Sequence, residues 1–319
     1  MPFNLGYPSS QSRFFRPGYH GTSLQEVAMR FSTDDACIEH VMQTRFAQEL
    51  PCEECGGVRR WSRRTSTQYA LRCCGAVVSP LAGTVFHHTK LPLRLWFYAM
   101  LHFANSHAGV NSGFLERHLG ISYRAAFHMA HRIRLHLAAL ERMTPIATPG
   151  QTVEVRVENL YRIRSDTSGH NRANVLLAAR NGRVACQVIG VSRHRSVYKA
   201  IATMVPGHGD LHTTCYRTAR LFSDYGSRLP QATYLPTYYI DHPNEIDAIK
   251  GFMSYFLWPL QTHHKYVSHS YLWLYLSEFQ FRYNRRNHSA QTYWDIIGAF
   301  PILTSQGDMP VSTATTKDH

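Results

Sequence analysis

Four cysteines in two closely spaced groups constrain the fold of this chain more than any other feature. Cys52 and Cys55 form a C-x-x-C pair, and Cys73 and Cys74 follow about twenty residues later. In a tight turn the two thiolates of a C-x-x-C pair can converge on one metal ion, and a structural zinc site needs four Cys or His ligands in a tetrahedron. The spacing therefore predicts a zinc-ribbon-like module over residues 51–90.

The second cysteine group is unusual because its two members are adjacent. Neighbouring Cα atoms are about 3.8 Å apart, and successive side chains of an extended chain point to opposite sides. We therefore expect Cys73 or Cys74 to be lost as a ligand, with His87 or His88 as the source of a fourth donor. The residues predicted to bind Zn²⁺ are Cys52, Cys55, Cys73, Cys74 and His87. The alternative is a ribbon that holds no metal.

The charge of the chain is strongly and unevenly positive. The formal net charge is +13, and residues 51–144 contain 12 Lys and Arg against 4 Asp and Glu. Such an imbalance usually marks a surface that binds phosphates, although a solvated face without a partner has the same composition. The predicted nucleic-acid contacts in the ribbon are four arginines, Arg59, Arg60, Arg63 and Arg64.

The composition indicates a folded protein that stays in the reducing cytoplasm. The 319 residues are 44% hydrophobic and 12% aromatic, which is enough for two or three domains with a sizeable core. No secretion signal or membrane-spanning run is evident, so clustered thiols are better explained by metal binding than by disulfides, and no membrane is expected as a partner.

Residues 109–134 have the spacing of a helix-turn-helix unit. A short helix is followed by a turn at Gly120 and by a second helix capped by Ser122. In such a unit the second helix enters the major groove of DNA. The residues predicted to face DNA are Tyr123, Arg124, His128 and Arg132, and those predicted to pack inward are Ala126, Met129 and Ile133. The alternative is an ordinary helical hairpin.

The C-terminal half changes to the alternation of β-strands. Three strands are predicted over residues 153–163, 174–180 and 184–191, with Asn181-Gly182 as a hairpin turn. The elements expected after them are a helix at 196–204, a strand at 210–214, a helix at 218–225, a strand at 232–240 and helices from Asn244 and Ser268. Three antiparallel strands followed by alternating helices and strands is the order of a ribonuclease-H-like domain, a mixed sheet covered by helices on both faces.

The predicted fold class is multidomain α+β, with a zinc ribbon and helix-turn-helix before a ribonuclease-H-like mixed α/β domain. The predicted divisions are a flexible arm at 1–22, N-terminal helices at 23–50, the ribbon at 51–90, the helical DNA-binding region at 91–145, the ribonuclease-H-like domain at 150–300 and a tail at 301–319. Within the last domain, the aromatic helix at 271–283 is interpreted as buried against the sheet rather than as a base-stacking surface, and Glu278 as a salt-bridged helix acid.

Four blocks of sequence carry a resemblance to a known family, at residues 31–46, 82–93, 109–134 and 275–286. Outside the helical pair they read FSTDDACIEH with QTRF, AGTVFHHTKLPL and YLSEFQFRYNRR. With these blocks the chain resembles the ISXO-type insertion-sequence transposases, which join a zinc ribbon and a helical DNA-binding region to a DDE-type nuclease domain. The resemblance implies double-stranded DNA as the partner, at element ends or regulatory sites, a homo-oligomer, and a cytoplasmic, nucleoid-associated protein.

The resemblance also implies three acidic residues that hold two divalent cations, Mg²⁺ or Mn²⁺, for phosphodiester chemistry. In this chain the three positions are occupied by Glu158, Thr214 and Asp247, and Asn244 of the third block is retained. Threonine is neutral and cannot supply the negative charge that two cations need. A second register makes Glu154 the first carboxylate and leaves Thr214 unchanged.

Two functions follow from this comparison. The first is a transposase-family DNA-binding protein, either catalytically impaired or domesticated, in which the nuclease sheet serves as scaffold or dimer surface. The alternative is an active metal-dependent DDE-type transposase that cuts and joins DNA ends with a rearranged site, drawn from Glu158, Asp210 or Asp224, and Asp247. A decayed relic or an unrelated role on the same fold would account for the sequence as well.

Overall fold

The computed structural model describes residues 21–46, 52, 54–148, 150–161, 172–189, 194–205, 210–224, 232–234, 244–264 and 267–303. At Tyr161, Arg172, 194–196, Asp224 and 244–246 the description covers the backbone alone. Across these residues the protein is mixed α/β, with ten α-helices and two sheets. Most of the predicted arm and of the predicted tail lies outside the described residues.

Two short helices and a small sheet form the first part of the chain. Helices α1 (Leu24–Arg30) and α2 (Asp34–Arg45) begin after Ser23 and Thr33, whose hydroxyl oxygens accept from backbone amides in the first turn of each helix. The strands β1 (Trp61–Arg63), β2 (Tyr69–Leu71) and β3 (Val77–Val78) are antiparallel in the order β1-β2-β3. These strands lie within residues 51–90, the segment where the sequence predicts a ribbon, and we refer to that segment as the ribbon.

Three longer helices follow the ribbon. They are α3 (Leu93–Asn105), α4 (Ser112–Leu119) and α5 (Tyr123–Arg142). Gly120 ends α4 with a left-handed φ of 64°, and the hydroxyl oxygen of Ser122 accepts from the Ala125 amide at the start of α5. The turn and cap are those that the sequence predicts, and the inward-facing residues Ala126, Met129 and Ile133 are buried.

The larger sheet contains five strands. They are β4 (Val153–Tyr161), β5 (Arg172–Arg180), β6 (Arg183–Ile189), β7 (Leu211–Thr213) and β8 (Ala232–Tyr234), in the order β6-β5-β4-β7-β8. The first three strands are antiparallel neighbours, whereas β7 pairs parallel with β4 and β8 pairs parallel with β7. This mixed pattern places the end of β7 beside the start of β4, the strand at the centre of the sheet.

Helices cover both faces of the five-stranded sheet. On one face, α8 (Asn244–Thr262) and α9 (Leu272–Asn284) enclose a core with alternate residues of β5. On the other face, α6 (His194–Met204) and α7 (Tyr216–Asp224) pack against the intervening residues. Because side chains alternate along a strand, β4, β5 and β6 divide their apolar residues between the two cores.

The last helix packs with the beginning of the chain. Helix α10 (Ser289–Ile297) lies against α3, and Tyr293, Ile296 and Phe300 belong to the core formed by α1 to α5. The Leu303 amide donates to the Gly83 carbonyl at 2.7 Å. The packing therefore does not follow the predicted boundary at residue 300, since residues 289–303 lie with the ribbon and the helical region.

A buried carboxylate joins α5 to α9. Glu278 is fully buried, its Oε2 lies 2.7 Å from Arg134 Nε, and its Oε1 lies 3.3 Å from Arg282 Nη2. The same Oε1 accepts from the Val110 amide at 3.1 Å. Burial would raise the pKa of Glu278, but the two guanidinium groups hold it below its usual range. Glu278 is thus a salt-bridged helix acid, as interpreted from the sequence.

Side chains of α9 also cover the outer edge of β6. The Val184 amide donates to Asn284 Oδ1 at 2.8 Å, and Asn284 Nδ2 donates to the Val184 carbonyl at 2.9 Å. Gln280 Oε1 accepts from the Cys186 amide at 3.0 Å. Carboxamides therefore pair backbone groups of Val184 and Cys186 that a neighbouring strand would otherwise bind.

Candidate metal centre and nucleic-acid interface

The cysteines of the ribbon form one cluster of potential metal ligands. The sulfur atoms of Cys52, Cys55 and Cys73 all lie within 4.8 Å of one another, and the Cys52 and Cys74 sulfurs are 3.7 Å apart. A tetrahedral zinc site with Zn–S bonds of about 2.3 Å has sulfur atoms separated by about 3.8 Å. The cluster of Cys52, Cys55 and Cys73 could therefore bind a metal ion, and Cys74 lies beside it, in contact with Cys52.

Two turns with the same hydrogen bonds present these cysteines. In the first turn, Cys52 N–H donates to Gly57 O and Gly56 N–H to Cys52 O; in the second, Leu71 N–H donates to Ala76 O and Gly75 N–H to Leu71 O. Gly56 and Gly75 both have positive φ, 67° and 76°. In this equivalence Cys74 matches Cys55, and Leu71 takes the place of Cys52. Cys73, one residue before Cys74, provides the additional thiol from inside the turn.

The two turns give their thiols different acidity. Backbone amides of Cys55 and Glu54 donate to the sulfur of Cys52 and lower its pKa to about 7. Desolvation and hydrogen bonds to the neighbouring sulfurs raise the pKa of Cys73 to about 12. A thiolate is thus favoured at Cys52 but not at Cys73, so that metal binding by the Cys73 sulfur would release a proton.

His87 is not brought to the cysteine cluster. Its Nδ1 accepts from the Gly83 amide at 3.2 Å, and its ring contacts the ring of His88 with centroids 3.9 Å apart. Among the residues that the structure describes, no other three potential metal ligands lie within 4.8 Å of one another. The fourth ligand position is therefore better filled by Cys74 than by either histidine.

The four ribbon arginines have different surroundings. Arg60 and Arg64 are exposed, and Arg59 is half-buried. Arg63 Nη2 lies 2.5 Å from Asp35 Oδ1, an ion pair between β1 and α2 that holds the pKa of Asp35 below its usual range. Arg60 and Arg64 are consequently the ribbon cations with the greater access to a phosphate.

The first turn of α5 is on the surface. Tyr123 is 56% exposed, and Arg124 and His128 are also exposed. These are three of the four residues of α5 that the sequence assigns to DNA. The fourth, Arg132, is half-buried and donates to the carbonyls of Thr84 and His87, so its guanidinium connects α5 to the segment after the ribbon rather than facing solvent.

At the carboxyl end of β7, the neutral residue Thr214 contacts a buried carboxylate. Its backbone amide and hydroxyl both donate to Glu154 Oε1, at 3.0 and 2.9 Å. His212 Nε2 lies 3.2 Å from the other carboxylate oxygen, and Glu154 is 1% exposed. The acid that the structure brings to Thr214 is therefore Glu154, the first carboxylate of the second register considered above.

Glu158 lies further along the same face of β4, beside a cation. Residues 154, 156 and 158 share one face of the strand because side chains alternate. Arg156 Nε is 2.5 Å from Glu158 Oε1, and both side chains are partly exposed. The guanidinium neutralises Glu158 and places a positive charge between the two acids of this strand.

The remaining acids do not complete a cluster with Glu154 or Glu158 among the described residues. Asp247 is exposed in the first turn of α8, and Asp210 is exposed before β7. The side chains of Asn244 and Asp224 lie outside the described residues. From the sequence Glu154 is only the alternative first carboxylate, and the structural observation that favours it is its parallel pairing with His212, two residues before Thr214.

Tyr271 is a surface residue that the sequence interpretation assigned to the core. It ends a 3₁₀ helix (His269–Tyr271) and is 42% exposed. Its ring is perpendicular to those of Phe127 and His131 of α5, with centroids 6.1 and 5.6 Å away. The residues that follow it are apolar, so the sequence pattern does not indicate that this position is exposed.

Comparisons of the chain with protein-family models, with curated proteins and with solved structures find no match. Within the described residues, none of the helices combines the length and the apolar character needed to cross a membrane.

Proposed function

We propose that this chain is a transposase-family DNA-binding protein in which the nuclease sheet no longer supports two-metal chemistry. The ribbon and the helix pair α4–α5 would bind double-stranded DNA, and the five-stranded sheet would act as a scaffold. In line with the resemblance, we expect a homo-oligomer that works in the cytoplasm on the nucleoid.

The arrangement of the larger sheet supports a ribonuclease-H-like interpretation. Its three antiparallel strands, its central β4 and its parallel β7 and β8 follow the expected order, and helices cover both faces. In the related nucleases the acids would come from the central strand, from the end of the parallel strand beside it and from a later helix. Glu154 or Glu158, Thr214 and Asp247 occupy those three places.

The observation that carries the proposal is the hydrogen bond that the Thr214 hydroxyl donates to the Glu154 carboxylate. A two-cation site needs several carboxylate oxygens that are free to ligate, and threonine contributes none. Glu154 accepts two hydrogen bonds from Thr214, and Arg156 adds a cation to the same face of β4. These residues do not fit a pair of divalent cations, so we assign no cleavage step to them.

The cysteine cluster, in contrast, has the donor set of a structural zinc site. Cys52, Cys55, Cys73 and Cys74 would hold the ion, which would fix the two turns of the ribbon against each other. The ion would have no open position for substrate, since four thiolates complete a tetrahedron.

The surface charge of α5 supports DNA as the partner. Residues 117–140 contain no Asp or Glu, and Arg124 and His128 are exposed near the start of the helix. A helix N-terminus in the major groove would direct these side chains at base edges and phosphates. The resulting interface is a helix-turn-helix surface with the ribbon cations Arg60 and Arg64 available as further phosphate contacts.

The test is the salt dependence of duplex binding. We expect Arg124→Ala to weaken binding to a DNA duplex and to reduce the slope of log K against log salt by about 0.9 if one phosphate contact is lost. Fluorescence anisotropy at a series of salt concentrations measures both quantities. Arg142→Ala is the matched control, because Arg142 is an exposed arginine at the far end of the same helix, about 27 Å away.

A wild-type protein without salt-dependent duplex binding would overturn the proposed function. If Arg142→Ala reduced the affinity for duplex DNA as much as Arg124→Ala does, the assignment of the interface to the start of α5 would be refuted.

A further inference from the structure

We propose that the chain also holds unpaired bases of a DNA strand, on a ring surface made by Tyr123 and Phe127 of α5 and by Tyr271. This inference rests on the proposed function, because it adds a second ligand, a single-stranded extension, to the duplex that α5 would bind. We refer to these three residues as the aromatic edge.

The aromatic edge joins two distant parts of the sequence. Phe127 follows Tyr123 by four residues on α5, so their side chains share one face of the helix. Tyr271 is brought to that face by the 3₁₀ helix before α9, where its ring stands perpendicular to Phe127 at 6.1 Å. The fold thus places three rings around the exposed start of α5.

Two of the rings are open to solvent. Tyr123 is 56% exposed and Tyr271 is 42% exposed, although burial of either large ring would stabilise the fold. Phe127 is partly buried and contacts Tyr271. Exposed tyrosines grouped around an apolar ring offer planar faces for stacking, whereas a phosphate contact alone needs only cations.

The charge around the aromatic edge favours a polyanion. Residues 117–140 and residues 262–277 contain no Asp or Glu, so the stretches of sequence around the three rings carry no carboxylate. Arg124 and His128, which flank the rings on α5, are exposed. Cations interleaved with aromatic rings are the composition of surfaces that bind single strands, where the cations follow the backbone and bases stack on the rings.

Unpaired nucleotides fit this surface better than a duplex does. In a duplex the base faces are stacked on each other and cannot reach a side chain, whereas an unpaired base presents a free π-face. Because the rings lie beside the first turn of α5, a strand that leaves the duplex bound by that turn would meet them first. The ligand is therefore a short single-stranded extension of a bound duplex.

The experiment compares a blunt DNA duplex with the same duplex carrying a short single-stranded overhang that contains 2-aminopurine. We expect the wild type to bind the overhang DNA about ten-fold more tightly, since stacking one base contributes on that order or more. Tyr271→Ala and Tyr123→Ala should each lose most of this preference and should leave the 2-aminopurine less quenched. Tyr271→Phe, which keeps the ring, should behave as the wild type.

Tyr198→Ala is the matched control, because Tyr198 is a tyrosine of equal exposure, 42%, on α6. Equal affinity of the wild type for the two DNAs, or an equal loss of both affinities in Tyr271→Ala and Tyr123→Ala, overturns the proposal. Binding of the overhang DNA without binding of the blunt duplex would contradict the proposed function and leave the aromatic edge in place. Failure to bind either DNA overturns both.

Discussion

A carboxylate at position 214 would lie within hydrogen-bond distance of Glu154, and the two negative charges would repel each other unless a cation lay between them. Threonine removes that repulsion. Its hydroxyl and amide satisfy Oε1 of a side chain that is almost completely buried. Threonine at this position thus supplies two neutral donors to the buried carboxylate without adding a charge.

We expect Thr214→Val to lower the free energy of unfolding by about 1–3 kcal/mol, because the buried carboxylate of Glu154 loses one of its hydrogen-bond donors. Urea denaturation followed by circular dichroism measures the change. The control is Thr203→Val, which removes a similar hydroxyl from an exposed position on α6. A change within about 0.5 kcal/mol at Thr214, equal to that of a surface substitution, would mean that this hydrogen bond contributes little.

Among the elements, the ribbon departs most clearly from the sequence prediction. In an extended backbone the side chains of Cys73 and Cys74 would point in opposite directions. The structure instead places both residues in a turn closed by Gly75. The spacing of cysteines predicts that they come together, but it does not determine the backbone between them. The turn geometry depends on hydrogen bonds to Ala76 and Leu71, which no periodicity in the sequence reveals.

The ribbon should hold one zinc ion per chain. We expect Cys55→Ser and Cys74→Ser each to lose most of the bound zinc, because a serine hydroxyl does not replace a thiolate ligand. Cys215→Ser, which changes a half-buried cysteine outside the cluster, should keep it. Metal analysis of purified, folded protein gives the answer. Full zinc content in Cys74→Ser would show that Cys74 is not a ligand, and folded wild type without zinc would refute the site.

Regular elements with a strong period were predictable from the sequence. The predicted second helix of the pair, its Ser122 cap and the hairpin of β5 and β6 agree with the structure within a few residues. Helix α10 was not predicted as a separate element, and its place against α3 depends on contacts more than 150 residues away, such as that of the Ile296 carbonyl with His136. Long-range packing of this kind has no local pattern.

At the scale of the whole molecule, buried polar groups tie the helical region to the sheet and to α10. Glu278 links α5 to α9, and His136 of α5 lies 2.8 Å from the Ile296 carbonyl of α10. His264, after α8, lies 3.2 Å from the Ala108 carbonyl. These contacts cross between segments that are distant in sequence, so stability should be shared by the whole described structure.

We expect the free energy of unfolding to fall as the pH is lowered from about 6.5 to 4. Burial lowers the pKa of His136 and of His264 to about 4 in the folded protein, whereas both have ordinary values when unfolded. The unfolded chain therefore binds more protons in this window, at a cost of up to roughly 3 kcal/mol per histidine at pH 4. The contribution is fully present above pH 6.5.

Urea unfolding at several pH values tests this expectation. His136→Gln should show a shallower pH dependence than the wild type, and His128→Gln, at an exposed position, should leave it unchanged. A wild-type curve that is flat between pH 6.5 and 4 would contradict the neutral, buried state of these histidines.

The most direct test of the central claim, that the sheet is a scaffold and not a two-metal nuclease, is nicking of supercoiled plasmid DNA in the presence of Mg²⁺ or Mn²⁺. If the sheet is a scaffold, the wild type, Glu154→Ala and Asp247→Ala will leave the plasmid equally intact, and the wild type will still bind duplex DNA. Metal-dependent nicking by the wild type that disappears in Asp247→Ala would contradict it and would establish an active site built around Thr214.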